Sequence, residues 1–223
     1  MPIDKIARDV DSALDGIGDG DTVMVGGFGG AGAPTHLLDA LAARAPRDLT
    51  IVANNAGSGT TGLAALLRAG CVRRIVCSYP RMPGSVVFDE LYAAGSIELE
   101  LVPQGTLSER IRAGGAGIAA FFTPTGVGTD LAAGREVRSF RGRDHLLELA
   151  LVADHALIRA RRADRHGNLV YDKVGRNFGP TMAMAATTTI VEVDEVVSLG
   201  ELDPECIVTP GVFVQRVVQV PAS

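Results

Sequence analysis

The sequence has no tryptophan, and aromatic residues make up only 4% of its 223 positions. Cysteine is nearly as scarce. Cys71, Cys77 and Cys206 form no CxxC pair, and so odd and sparse a set argues against a disulfide scaffold and for a reducing compartment. There is no block of lysine or arginine. With a net charge of −5 and an isoelectric point near 5.4, a nucleic-acid footprint is missing. No apolar run approaches the length that spans a bilayer, and the first residues, Met1-Pro2-Ile3-Asp4-Lys5, lack the apolar core of a signal peptide. A cytoplasmic protein is the expectation. The four histidines, His36, His145, His155 and His166, show no metal-ligand spacing and read as surface or packing residues.

What is present is an ordinary globular composition, 47% hydrophobic and 21% charged, with 27 glycines gathered in a few loops. Ile3, Ile6, Val10, Leu14 and Ile17 recur at helical spacing and predict an opening amphipathic helix. Strands are expected at 22–25, 49–53, 72–77 and 97–102. Between them helices are expected from Pro34 to about residue 43, at 61–68 and at 86–94. Thr106 and Glu109 have the spacing of a capping box for the next helix. Alternation of this kind with short loops implies a mostly parallel sheet flanked by helices.

After Gly114 the texture changes. Glycine, threonine and proline dominate 114–130, followed by shorter apolar segments at 136–140, 145–151, 156–160, 168–173, 188–193 and 196–199, with a short helix at 181–186. The expectation is a mixed or antiparallel extension in the C-terminal half. Without repeat or linker, residues 1–223 read as one α/β domain.

Gly27-Phe28-Gly29-Gly30-Ala31-Gly32 matches GxGxxG between a strand and a helix, the context of a dinucleotide fingerprint. The next strand, however, ends in neutral Asn54-Asn55 where a ribose-binding acid belongs. An anion-binding loop and a plain packing turn both fit this segment.

Six segments in order carry a resemblance. They are Asp19-Gly20-Asp21-Thr22-Val23-Met24-Val25-Gly26-Gly27-Phe28 with Gly32-Ala33-Pro34; Asn54-Asn55-Ala56-Gly57; Pro103-Gln104-Gly105-Thr106-Leu107; Phe121-Phe122-Thr123-Pro124-Thr125-Gly126; Gly167-Asn168-Leu169-Val170-Tyr171 with Arg176-Asn177-Phe178; and Gly200-Glu201-Leu202-Asp203-Pro204. Together they resemble alpha subunits of the family I CoA-transferases. Ser78-Tyr79-Pro80-Arg81 and Phe213-Val214-Gln215-Arg216 are most similar to the subfamily that acts on 3-oxoadipate with succinyl-CoA. His166 and Thr35 depart from the family pattern, which often has Trp and Glu there.

The resemblance implies a ping-pong reaction through a glutamyl-CoA thioester, with the nucleophilic glutamate on a beta-subunit partner in a hetero-oligomer. In this chain no Glu precedes Asn-Gly, so none is assigned as nucleophile; Glu90 and Glu109, in helix patterns, read as solvated or capping groups, and Glu201 is the one other glutamate to inspect. By the same resemblance Gln104 stabilises the oxyanion. The loop Gly26, Gly27, Phe28, Gly29, Gly30, Ala31, Gly32 contacts CoA, a substrate rather than a resident cofactor. Asn54 and Asn55 line the active centre, and Arg81 is a candidate reader of a distal carboxylate. Two other readings remain, the same chemistry on acetoacetate and a ligand-sensing module. A nucleotide-dependent oxidoreductase is disfavoured by Asn54.

Overall fold

The computed structural model describes residues 3–221. In chain order the elements are α1 (Val10–Ala13), β1 (Thr22–Val25), α2 (Thr35–Arg44), β2 (Leu49–Ala53), α3 (Leu63–Arg68), β3 (Val72–Cys77), α4 (Val86–Ala93), β4 (Glu98–Leu101), α5 (Gln104–Gly115), β5 (Ala120–Thr123), β6 (Val137–Phe140), β7 (Arg143–Leu149), β8 (Ala153–Asp164), β9 (Leu169–Val170), α6 (Gly179–Ala185), β10 (Ala186–Val197) and β11 (Arg216–Gln219).

Strands β1, β2 and β3 are short apolar runs with residues buried on alternate faces. Val23, Val25, Ile51, Ala53, Ile75 and Cys77 point into one core, packed by Leu37, Leu38 and Leu41 of α2, Leu66 and Leu67 of α3 and Phe88 of α4. Met24, Val52 and Val76 point into the other, beneath Leu107 and Ile111 of α5 and Met182 of α6. Burial on both faces is what a parallel sheet with covering helices requires. The strand order is β11-β10-β8-β1-β2-β3-β4, every neighbour in that path parallel, with β9 paired antiparallel to β8. A separate antiparallel sheet, β5-β7-β6, follows α5.

The C-terminal half therefore divides. The antiparallel extension is β5, β6, β7 and β9, whereas β8, β10 and β11 continue the parallel sheet. Where two strands are expected at 188–193 and 196–199, β10 runs unbroken for 12 residues. Its carboxylates are answered by arginines on β8: Glu192 and Asp194 by Arg159, Glu195 by Arg162. An acidic run that would interrupt a lone strand is thus compensated by its neighbour.

Two further expectations yield to tertiary contacts. The opening helix shrinks to four residues, capped by Asp9, whose side chain accepts from Ser12 N–H while Ser12 Oγ accepts from Asp9 N–H. The residues before it extend along β11 instead: Ala7 N–H donates to Val217 O at 2.7 Å and Val217 N–H to Lys5 O at 2.8 Å. The capping box at Thr106 does not form. Pro103 takes the cap position, so α5 begins at Gln104, and Glu109 pairs with Arg112.

The small sheet is fastened to the large one by charge. Arg110 of α5, 7% exposed, donates to Glu100 of β4 at 2.6 Å and to the Leu149 carbonyl of β7 at 2.8 Å. Glu148 of β7 lies 3.7 Å from Arg110 and accepts from Arg135 at 2.6 Å. Arg74 of β3 joins the same Glu100. Burial alone would push Glu100 up, but the Arg110 and Arg74 guanidiniums outweigh it and hold the carboxyl below its ordinary range.

Candidate active site

In parallel α/β sheets the loops beyond the carboxyl ends of the strands form the ligand-binding edge. Three such loops meet here, after β1, β2 and β3. The first two enclose a cavity of about 180 Å³ lined by Gly26, Gly27, Gly29 and Gly30 from the first, and Asn54, Asn55, Gly57 and Ser58 from the second. Thr35, Thr61 and apolar side chains complete it. None of the lining residues is ionisable.

Asn54 and Asn55 are both nearly buried at the end of β2. Asn54 Nδ2 donates to Ser78 Oγ at 3.1 Å, after β3, and to Gln104 Oε1 at 3.3 Å, at the start of α5. Its carbonyl accepts from Ser78 N–H and Tyr79 N–H, at 3.2 and 3.0 Å. One asparagine thus ties the ends of β2 and β3 to the start of α5. Gln104 itself is exposed, and with Oε1 held by Asn54 its Nε2 is the end left for another molecule. Asn55 Oδ1 closes a tight local turn by accepting from Gly57 N–H at 2.9 Å, while Nδ2 reaches Gly29 O at 3.4 Å. The turn demands glycine: Gly57 has φ of 78°, and a Cβ there would lie 2.7 Å from Ala64 N.

The glycine loop folds on itself. Phe28 and Ala31 exchange backbone hydrogen bonds of 3.0 and 3.1 Å. Phe28 projects outward, 48% exposed. The helix that follows does not offer a free N-terminus to an anion. Leu37 N–H, in the first turn of α2, donates to Glu192 Oε2 at 3.0 Å, and Glu192 is completely buried. Burial raises the Glu192 carboxyl, against the pull of the Leu37 hydrogen bond and Arg159. An internal carboxyl group therefore serves the role that a bound phosphate plays in a dinucleotide fold.

The structure brings together Asn54, Asn55, Gln104 and most of the 26–32 loop. Arg81 stands apart: its exposed side chain donates to Asp89 at 2.6 Å and does not line the cavity. Glu90, Glu109 and Glu201 are exposed and equally outside it. Cys77 is fully buried, as a small apolar residue would be, and burial pushes its thiol up to about 12. The parts played by Ser78 and Asn177 do not follow from the sequence, although both stand in motifs that carry the resemblance. Ser78 anchors Asn54, and Asn177 Oδ1 accepts from Gly27 N–H at 2.9 Å. Their only signal is the company of polar residues at strand ends and turns, which alone does not say what they touch.

The model of the coenzyme A transferase family matches residues 8–220, and the chain belongs to that family. It is 63% identical over 218 residues to one subunit of the 3-oxoadipate CoA-transferase of Pseudomonas putida, covering 98% of this chain and 94% of that one. It is 46% identical over 215 residues to one subunit of the succinyl-CoA:3-ketoacid coenzyme A transferase of Helicobacter pylori strain J99, covering 96% and 92%. The fold is that of an acyl-CoA transferase (YdiF) apoenzyme from Escherichia coli O157:H7, with a TM-score of 0.89 at 23% identity over 99% of this chain. The present chain spans about half of that protein's length, 48%.

Proposed function

We propose that this chain is the alpha-type subunit of a two-subunit enzyme that moves CoA from succinyl-CoA to 3-oxoadipate in the cytoplasm. The observation that carries the reading is the uncharged cavity, beside which Asn54 gathers Ser78 and Gln104 with no carboxylate of the chain's own. A covalent route through a carboxylate then needs that group from a partner subunit. The stronger identity to the 3-oxoadipate enzyme, 63% against 46%, favours that keto acid over others. We also read residues 1–223 as one domain, a view supported by Arg110 clasping both sheets.

In this reading the partner's glutamate attacks the thioester carbonyl of succinyl-CoA, and the thiolate of CoA leaves from the resulting adduct to give a mixed anhydride. The thiolate then attacks the glutamyl carbonyl and releases succinate, which leaves a glutamyl-CoA thioester. The carboxylate of 3-oxoadipate repeats the two steps in reverse and departs as the CoA thioester. Each attack builds negative charge on a carbonyl oxygen. Gln104 Nε2, held from behind by Asn54, is the preorganised donor for that charge. The backbone of residues 26–32 contacts CoA, and Asn54 and Asn55 hold the floor of the site.

The test is co-expression with a beta-type chain and an assay of CoA transfer from succinyl-CoA to 3-oxoadipate, with each chain alone as control. Activity in the pair and in neither chain alone is expected. Activity of this chain alone would place a nucleophile in it and overturn the reading. A pair that works on acetoacetate but not 3-oxoadipate would keep the chemistry and change the substrate.

A further inference from the structure

The Arg176-Asn177-Phe178 motif contributes nothing to the wall of the 180 Å³ cavity, yet one of its residues governs the loop that does. Asn177 follows a short 3₁₀ turn, Lys173–Arg176, and has φ of 26° and ψ of −118°. This is a positive-φ conformation that side-chain-bearing residues rarely adopt, and such strain persists where surrounding contacts enforce it. The contacts are those of its own amide. Oδ1 accepts from Gly27 N–H at 2.9 Å and from Phe178 N–H at 2.7 Å. Nδ2 donates to Ala31 O at 3.1 Å and to Gly175 O at 2.8 Å.

Gly27 and Ala31 are the two ends of the folded loop, so a single side chain across 150 residues of sequence closes it. The approach is too close for any Cβ at Gly32, which would lie 2.2 Å from Gly175 O and 2.6 Å from Asn177 Nδ2. The loop's other side is held at Gly29 O by Asn55. A continuous line of amide contacts therefore runs from Asn177 through the loop to the cavity. The line uses the acceptor and the donor of Asn177 at once, and among carboxylate, hydroxyl and alkyl replacements none supplies both at those positions.

We infer that Asn177 is a positioning residue: its amide fixes residues 26–32 in the form that receives the CoA portion of the thioester. This rests on the CoA-transferase reading above. Two variants test it in the assembled enzyme. Asn177→Gly relieves the backbone strain and removes both ties. Asn177→Asp keeps the acceptor for Gly27 and places a second acceptor against Ala31 O and Gly175 O.

In both variants, KM for succinyl-CoA and the Kd of CoA measured by calorimetry rise about tenfold, the loss of one or two net hydrogen bonds. The value of kcat stays within about threefold, as loss of uniform binding requires. Amide exchange in the 26–32 peptide quickens in both. A merely structural role would lower Tm in both variants, less in Asn177→Gly where relief of backbone strain offsets part of the lost ties, with no change in Kd. Unchanged CoA affinity in the variants, or unchanged exchange in the loop, would overturn the proposal while leaving the enzyme's function standing. A wild-type assembly that binds CoA and fails to transfer it to 3-oxoadipate would overturn the function and leave the role of Asn177 to be read from Kd. A wild type that binds no CoA overturns both.

Discussion

The two sides of the glycine loop are built from opposite materials. Toward the cavity stand neutral amides and the loop backbone, with Asn54 and Asn55 in its wall and the Ser78 hydroxyl behind Asn54. Behind the helix that the loop enters, Glu192, Arg159 and Asp194 form a largely buried ionic group on β10 and β8. A second ionic group, Arg110 with Glu100 and Glu148, clamps the antiparallel sheet. Charge in this molecule assembles the frame, and the cavity edge is left polar but uncharged. Under the proposed function that division suits the site, because a resident anion would repel both a carboxylate supplied by a partner and the oxyanion its attack would form.

The contrast is largest on the ionic side. Glu192→Ala removes a buried acceptor used by both Leu37 N–H and Arg159. Breaking such a group costs about 3–5 kcal/mol. For a chain of this size the loss lowers Tm by roughly 6–20 °C, and thermal unfolding measures it. Glu192→Gln keeps an acceptor for Leu37 and loses less. Equal stability of the alanine variant and wild type would mean that the helix end needs no internal cap.

Gln104→Ala is the converse, a change on the neutral side. It lowers kcat about 10²–10³-fold if its Nε2 meets the oxyanion. Tm should move little, since Gln104 is exposed and its side-chain bond to Asn54 is 3.3 Å long. A drop in Tm with kcat intact would move Gln104 from the chemistry to the frame.

The seam between the sheets responds to acid with a definite sign. Glu100 is held below its ordinary value of 4.5 in the folded chain. A depressed carboxyl contributes stability that is present above the unfolded value and is lost as pH falls through the folded one. Glu100→Gln should therefore cost about 2 kcal/mol at neutral pH, the worth of charged hydrogen bonds. The difference in Tm from wild type should close as pH drops below 4.5. A gap that persists in acid would assign the loss to packing and not to charge.

How much of this is legible in the sequence follows from the range of the interactions. Strands β1, β2 and β3 announce themselves because burial on both faces leaves short, largely apolar runs between loops. Strand β11, Arg216-Val217-Val218-Gln219, carries polar ends and gives no strand pattern of its own; it exists because β10 and the N-terminal segment pair with it. The opening helix is shorter than its periodicity suggests for the same reason: the chain around Ile6 packs along a sheet edge instead of winding. Asn54 and Gln104 are legible through family resemblance alone, since a contact across 50 residues leaves no local pattern. Asn177 lies in a family motif, but its reach of 150 residues to Gly27 requires the fold.

Arg81 supplies the smallest and most selective test. It follows Ser78 and Tyr79, whose backbones are bonded to Asn54, but its side chain lies outside the cavity. Its guanidinium is already engaged by Asp89 of α4, and both side chains are exposed. To read the distal carboxylate of 3-oxoadipate, Arg81 must exchange one solvated carboxylate for another. Such an exchange is worth at most about 1 kcal/mol. Arg81→Ala is therefore expected to lower kcat/KM for 3-oxoadipate by up to about fivefold and to leave acetoacetate unchanged, since about 1.4 kcal/mol corresponds to tenfold. Equal losses on the two keto acids would assign Arg81 to the frame, as the residue that ties its loop to α4.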